Sequence, residues 1–218
     1  MSTTVKLIPY TKGEEIFNFV SHIAAGGVCL IGTVFLLIAA TFTGSPLIVT
    51  SCAIYGASMI ILYTMSGLYH IFSGQKVKRF FRIMDHNTIF LLIAGTYTPY
   101  SLVALGGTLG WWLFGIIWGM AVLGITLNSI NLEKYKTLSM ICYIVMGWAV
   151  IFTIRPLIEA ISAFAFIFLL MGGIAYTGGI FFYAKNKVKY FHSVWHLFVV
   201  LGTVLQFVSV FNIISDKI

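Results

Sequence analysis

The segment His192-Ser-Val-Trp-His196 sets two imidazoles four residues apart. On a helix they share one face, where both can bind a single metal ion. Ser66-Gly-Leu-Tyr-His70 sets a hydroxyl and a third imidazole on one face of a second segment. Two histidines from one helix and one from another make a three-ligand set whose fourth position stays open to water or substrate. That is the coordination pattern of catalytic zinc. Asp85, His86 and His22 are further ionisable residues in apolar segments. His22 and His86 read as interfacial or supporting residues rather than ligands.

The elements that must position these groups are membrane spans. Hydrophobic residues make up 60% of the 218-residue chain, charged residues only 9%, and the mean hydropathy is +1.00. A soluble domain needs about a quarter of its residues charged. Apolar runs long enough to cross a bilayer recur throughout, which excludes a soluble enzyme, a disordered chain and a disulfide scaffold. Cys29, Cys52 and Cys142 all lie in apolar runs and read as small core residues. The fold class expected is all-α, a seven-transmembrane-helix bundle forming one domain over 1–218, with a cytoplasmic tail over 1–15. The spans expected are Ile16–Phe42, Leu47–Phe72, Ile83–Leu105, Trp111–Ile130, Leu138–Ile154, Ile158–Ala184 and Tyr190–Ile214. The first run is too long for a signal-peptide core and follows Glu14 and Glu15, so no cleaved signal is expected.

Loop charges orient the bundle. Lys6 and Lys12 precede span one, and Lys76, Lys78, Arg79 and Arg82 follow span two. Lys134 and Lys136 follow span four, and Lys185, Lys187 and Lys189 follow span six. With seven spans these segments share one side, leaving Arg155 and Lys217 on the other. Positive residues mark the cytoplasmic side, so the N-terminus is expected inside and the C-terminus outside. The net charge of +7 is thereby a topology signal, without the arginine-rich or aromatic-interleaved patch of a nucleic-acid binder. His70, Asp85, His192 and His196 then fall at one depth, just inside the cytoplasmic leaflet. Intramembrane ionisable residues are costly and mark functional sites. A b-type haem needs opposed histidines from two helices, and His192 and His196 share a face. A metal-free proton relay is the other reading of the same cluster.

At these residues the chain resembles the haemolysin III family, the bacterial branch of the progestin and adipoQ receptor proteins, which in turn resemble alkaline ceramidases. The resemblance covers nearly the whole chain. It rests on Glu15-x-x-Asn18-x-x-Ser21-His22, Ser66-x-x-x-His70, Asp85-His86, Gly95-Thr96-Tyr97-Thr98-Pro99 and His192-x-x-x-His196, in that order. Ser21 stands where relatives often carry threonine. The resemblance implies a bacterial plasma-membrane protein with zinc on His70, His192 and His196, a water held by Asp85, and Ser66 in hydrogen-bonding reach. Three functions compete. One is a zinc-dependent intramembrane hydrolase of a lipid amide or ester serving membrane-lipid homeostasis. In it Asp85 acts as general base and Ser66 orients water or stabilises an oxyanion. The second is a cytolytic pore former, for which no amphipathic lytic helix is visible. The third is a lipid-state sensor with a structural zinc. Membrane lipids are the partners expected in the first and third.

Overall fold

The computed structural model describes residues 5–185 and 188–218, so Lys187 lies outside the described residues. Among the described residues the regular structure is all helical, running α1 (Lys12–Phe42), α2 (Pro46–Ile71), α3 (Gln75–Pro99), α4 (Gly107–Gly147), α5 (Ile154–Ala160), α6 (Ala163–Ala184) and α7 (Phe191–Ser215). Among the described residues, six helical runs are long and apolar enough to cross a membrane. Their outward faces carry large apolar side chains such as Val28, Ile31, Phe35, Val122 and Ile174. Asn18, Thr33, Ser58, Thr98, Gln206 and Ser209 are buried. Apolar outside and polar inside is the arrangement that lipid as solvent selects.

The α4 element contains predicted span four and the first part of predicted span five, whose end falls in a 3-10 turn over Ala149–Thr153, and it doubles back. Asn131 leaves the helical region, at φ −158° and ψ 90°, and its Oδ1 accepts a hydrogen bond from the Lys134 N–H at 3.1 Å. That is the geometry of an N-cap, which satisfies one of the free amides at the start of a new helix. Asn128 Oδ1 accepts from Ser139 Oγ at 2.6 Å. Eleven residues of straight helix would part them by about 16 Å, so the chain must reverse. Contacts with α3 trace both limbs. Trp118 bonds Thr98 and Asn87 bonds Ser129 along the first. Tyr143 bonds the His86 carbonyl, and Tyr97 bonds the Gly147 carbonyl, along the second. The first limb therefore runs antiparallel to α3 and the second parallel to it. Gly124 permits the close approach of the first limb: a Cβ there would lie 2.2 Å from the Phe90 ring.

Two boundaries differ from expectation. The basic residues placed in a loop after span two lie in the first turns of α3, which begins at Gln75. There Arg82 is buried and bonds Glu133 and the Lys6 carbonyl. Predicted span six is cut at Ser162, whose hydroxyl caps α6 by accepting from the Ala165 N–H at 3.1 Å; Ile158 belongs to the short α5. Beyond Pro99 the α3 backbone widens into a π turn over Tyr100–Leu105. It closes with the Gly106 N–H on the Ser101 carbonyl at 2.9 Å. Gly106 has φ 61°, which glycine adopts without strain.

The start of α1, the end of α2, the start of α3, the Asn131 reversal and the α6–α7 turn meet at one end of the bundle. Glu15 touches His70 and Lys78, Glu14 touches Tyr190, and Glu133 touches Arg82 and Lys6. Replacing the cap, Asn131→Ala, should lower stability by about 1 kcal/mol, read as an earlier midpoint in thermal or detergent-induced unfolding. Asn131→Asp should retain most of it.

Candidate metal centre

His70 comes from the last turn of α2; His192 and His196 come from the first turns of α7. All three are buried, and one ligand nitrogen from each lies within 4.8 Å of the others. Among the described residues this is the cluster with metal-binding spacing. His192 Nε2 and His196 Nε2 face each other at 3.1 Å. Two nitrogens sharing a tetrahedral zinc at about 2.0–2.1 Å would stand roughly 3.3 Å apart, so the pair is already near the spacing of a coordination edge.

The tautomer of His70 follows from its neighbour. Glu15 Oε2 lies 2.6 Å from His70 Nδ1, and an ionised carboxylate only accepts, so Nδ1 carries the proton. The unprotonated Nε2, buried with no partner among the described residues, is left to bind a cation. A carboxylate behind a ligand histidine fixes its ring and raises its basicity. Glu15 Oε1 accepts in turn from Lys78 Nζ at 2.5 Å. The donor set, its burial and this supporting carboxylate fit a zinc ion.

Two aromatic contacts pack the cluster. His22 stacks on His196 with ring centroids 3.6 Å apart and meets Tyr63 edge-on at 5.1 Å. It lies against His196 without joining the convergent set. Tyr10, from the segment before α1, stacks on His192 at 4.9 Å and lies 5.7 Å from His70. Burial raises the pKa of its phenol well above the ordinary range, with Tyr69 and Asp85 nearby adding to the effect.

Asp85 and Ser66 occupy the neighbouring wall. Ser66 is buried beside the Asp85 carboxylate, without a hydrogen bond of ordinary geometry between them. Asp85 lies outside the three-histidine cluster. Asp85 Oδ2 is 3.7 Å from His86 Nδ1, too far for a hydrogen bond. His86 Nδ1 instead meets the Arg82 carbonyl at 2.9 Å, and its Nε2 meets Tyr183 Oη at 3.3 Å. Both its ring nitrogens are engaged within the bundle.

Two residues of this neighbourhood carried no role in the sequence reading. Glu15 had a usable signal: with Asn18 and His22 it forms an i, i+3, i+7 stripe on α1, a polar face in an otherwise apolar helix. Tyr10 had none, because it precedes the helix and belongs to no periodic pattern.

Helices apolar on the outside, enclosing a buried three-histidine cluster at one end, define a helical membrane protein with a metal-type site. The Haemolysin-III related family matches residues 10–207, and the chain belongs to that family. It is 40% identical over 197 residues to Hemolysin-3 of Bacillus cereus, covering 90% of each chain. It is 39% identical over 201 residues to the Hemolysin-3 homolog of Bacillus subtilis (strain 168), covering 92% of this chain and 94% of the relative. A more distant relative is the Monocyte to macrophage differentiation factor of Homo sapiens, 28% identical over 167 residues, 73% of this chain and 68% of that protein.

Metal binding tests the geometry directly. His70→Ala, His192→Ala and His196→Ala should each strip zinc from purified protein, whereas His22→Ala should keep most of it. Glu15→Ala should weaken affinity by about 10–100-fold, measured by competition with a chelator. Zinc retained in a His192→Ala/His196→Ala double variant would remove the assignment.

Proposed function

We propose that this chain is a zinc-dependent intramembrane hydrolase acting on a lipid amide or ester, in the service of membrane-lipid homeostasis. The observation that carries the reading is the convergence of three buried histidines near the half-buried Asp85 and the buried Ser66. Zinc held by those histidines would polarise a carbonyl and acidify water. Asp85 takes the proton from the attacking water at its carboxylate. The Ser66 hydroxyl orients that water or donates to the developing oxyanion. Glu15 keeps the His70 proton on Nδ1, so that Nε2 stays a donor of electrons.

A lipid substrate is supported by an apolar cavity between α2, α3, α4, α6 and α7, bounded by Leu62, Ile89, Tyr143, Tyr183, Trp195 and Val199. Tyr183 also lies 6.4 Å from the His192 ring, so an acyl chain in this cavity has its polar end near the histidines. The topology proposed is seven spans, with the reversal at Asn131 separating the fourth from the fifth. The N-terminus is cytoplasmic and the C-terminus external in a bacterial plasma membrane. Its support is the end of the bundle where Lys6, Lys12, Lys76, Lys78, Arg79, Arg82, Lys134, Lys136, Lys185 and Lys189 gather, by the positive-inside rule. A second reading, a lipid-state sensor with structural zinc, draws on the tail packed against His192, since structural zinc sites are closed.

Two experiments test this. A reporter active only outside the cytoplasm should work when fused after Ile218 and stay silent after Lys78. Asp85→Asn should keep most of the zinc yet lower hydrolysis by roughly 100-fold or more, measured on the lipids that accumulate in cells lacking the protein. If Asp85→Asn leaves both zinc and lipid profile unchanged, water activation is not the function and the sensor reading leads.

A further inference from the structure

The segment before α1 is tied down at both ends. Near its start, the Lys6 N–H donates to Glu133 Oε1 at 3.1 Å and the Lys6 carbonyl accepts from Arg82. At its end, Thr11 and Glu14 form a reciprocal capping box, and Glu14 Oε1 also accepts from the Tyr190 N–H at 2.7 Å, just before α7. Between these anchors Tyr10 is laid over His192 and His70. Its hydroxyl oxygen is buried and has no hydrogen-bond partner among the described residues. The hydroxyls of Tyr69 and Ser66 share both properties. A phenol in such surroundings costs free energy unless something polar meets it, and an anchored backbone gives it no freedom to turn away.

We propose that Tyr10 is a working residue of the metal centre, with two separable parts. Its ring holds His192 in place and closes the water-facing side of the histidine cluster. Its hydroxyl is a hydrogen-bond donor to an oxygen of the bound substrate, on the wall shared with Tyr69 and Asp85. The proposal deepens the hydrolase reading and rests on it only for the hydroxyl. The ring's role stands on packing alone. Tyr10 is placed there because the short run from Lys6 to Thr11 is held by α3, by the Asn131 reversal and by the α6–α7 turn together. The cover therefore reports the assembly of the whole cytoplasmic end.

The two parts separate by substitution. Tyr10→Ala removes ring and hydroxyl; Tyr10→Phe removes the hydroxyl alone. In metal-free protein in detergent, diethyl pyrocarbonate modification of His192, read by mass spectrometry, should rise clearly in Tyr10→Ala. In zinc-loaded protein, transfer of zinc to a soluble chelator should accelerate by about 10-fold, the range in which loss of a supporting contact weakens metal binding. Tyr10→Phe should match the parent chain in both measurements. It should nevertheless shift the visible absorption of cobalt(II)-substituted protein when a lipid-like amide or ester is added, and lower kcat more than it raises KM. Unchanged His192 modification and unchanged zinc release in Tyr10→Ala would overturn the cover. A Tyr10→Phe protein identical to the parent in cobalt spectrum and turnover would overturn the hydroxyl's role. A chain that binds neither metal, yet shows Tyr10-dependent protection of His192, would refute the metal reading and support the cover.

Discussion

The Glu15 carboxylate on the first turn of α1 is the contact on which the rest of this end of the bundle depends. It accepts from His70 on α2 and from Lys78 on α3, so one residue sets the depth of three helices against each other. Hydrogen bonds to charged groups contribute about 1.5–3 kcal/mol each. Removing one partner of a buried pair costs roughly 3–5 kcal/mol, because the other is left uncompensated. In a bundle whose helices are as apolar as the lipid around them, hydrophobic burial does little to fix the depth of one helix against another. A charged contact does. The same contact decides which nitrogen of His70 faces the other two histidines. Helix register and ligand tautomer are thus one choice.

The second histidine-bearing element meets this frame through α1 as well. His22 lies seven residues after Glu15, two helical turns along the same face, and its ring stacks on His196. Asn18 lies between them and is fully buried. The polar stripe of α1 therefore spans the interval between His70 on α2 and the two histidines of α7. Two imidazoles four residues apart on α7 are free to converge on a common point only if that helix is rotated to face His70, and the stripe on α1 supplies the rotation. The capping of α7 adds to this: Tyr190 adopts a left-handed conformation, φ 63°, and its N–H is held by Glu14. A backbone posture unusual for a non-glycine residue is fixed here by a neighbouring carboxylate.

What the sequence revealed, and what it hid, divides along the range of the interactions. Helix identity, the apolar runs and the clustering of positive residues are local or compositional properties, and the histidine spacing on α7 needs only a helical period. The Asn131 reversal was legible as a boundary after Ile130, though not as a one-residue turn. An asparagine cap replaces the loop that the charged residues Glu133, Lys134 and Lys136 suggested. The partnership of Glu15 with His70 joins residues 55 apart, and that of Lys6 with Glu133 joins residues 127 apart; no periodicity reports either. Residues 1–15 were expected as a cytoplasmic tail, with no place in the site. Its residues from Lys12 are helical, and Tyr10 is packed against His192.

Adjacent residues on α3 show how far local environment separates chemical roles. Asp85 and His86 are neighbours in sequence, about 100° apart around the helix, and either is a plausible acid–base group by type. His86 meets the Arg82 carbonyl and the Tyr183 hydroxyl with its two nitrogens, while its own carbonyl accepts from Tyr143. It joins α3 to α4 and α6 and has no remaining capacity for a proton in transit. Asp85 is turned toward Ser66 and the tyrosines around the histidine cluster, with no ion pair closer than the 3.7 Å to His86. A carboxylate kept out of strong pairing inside an apolar bundle is held at a cost that packing alone does not repay. Residues retained under that cost in a membrane are the ones that move charge, which is the ground on which the proposed hydrolase gives the proton to Asp85 and leaves His86 to the scaffold.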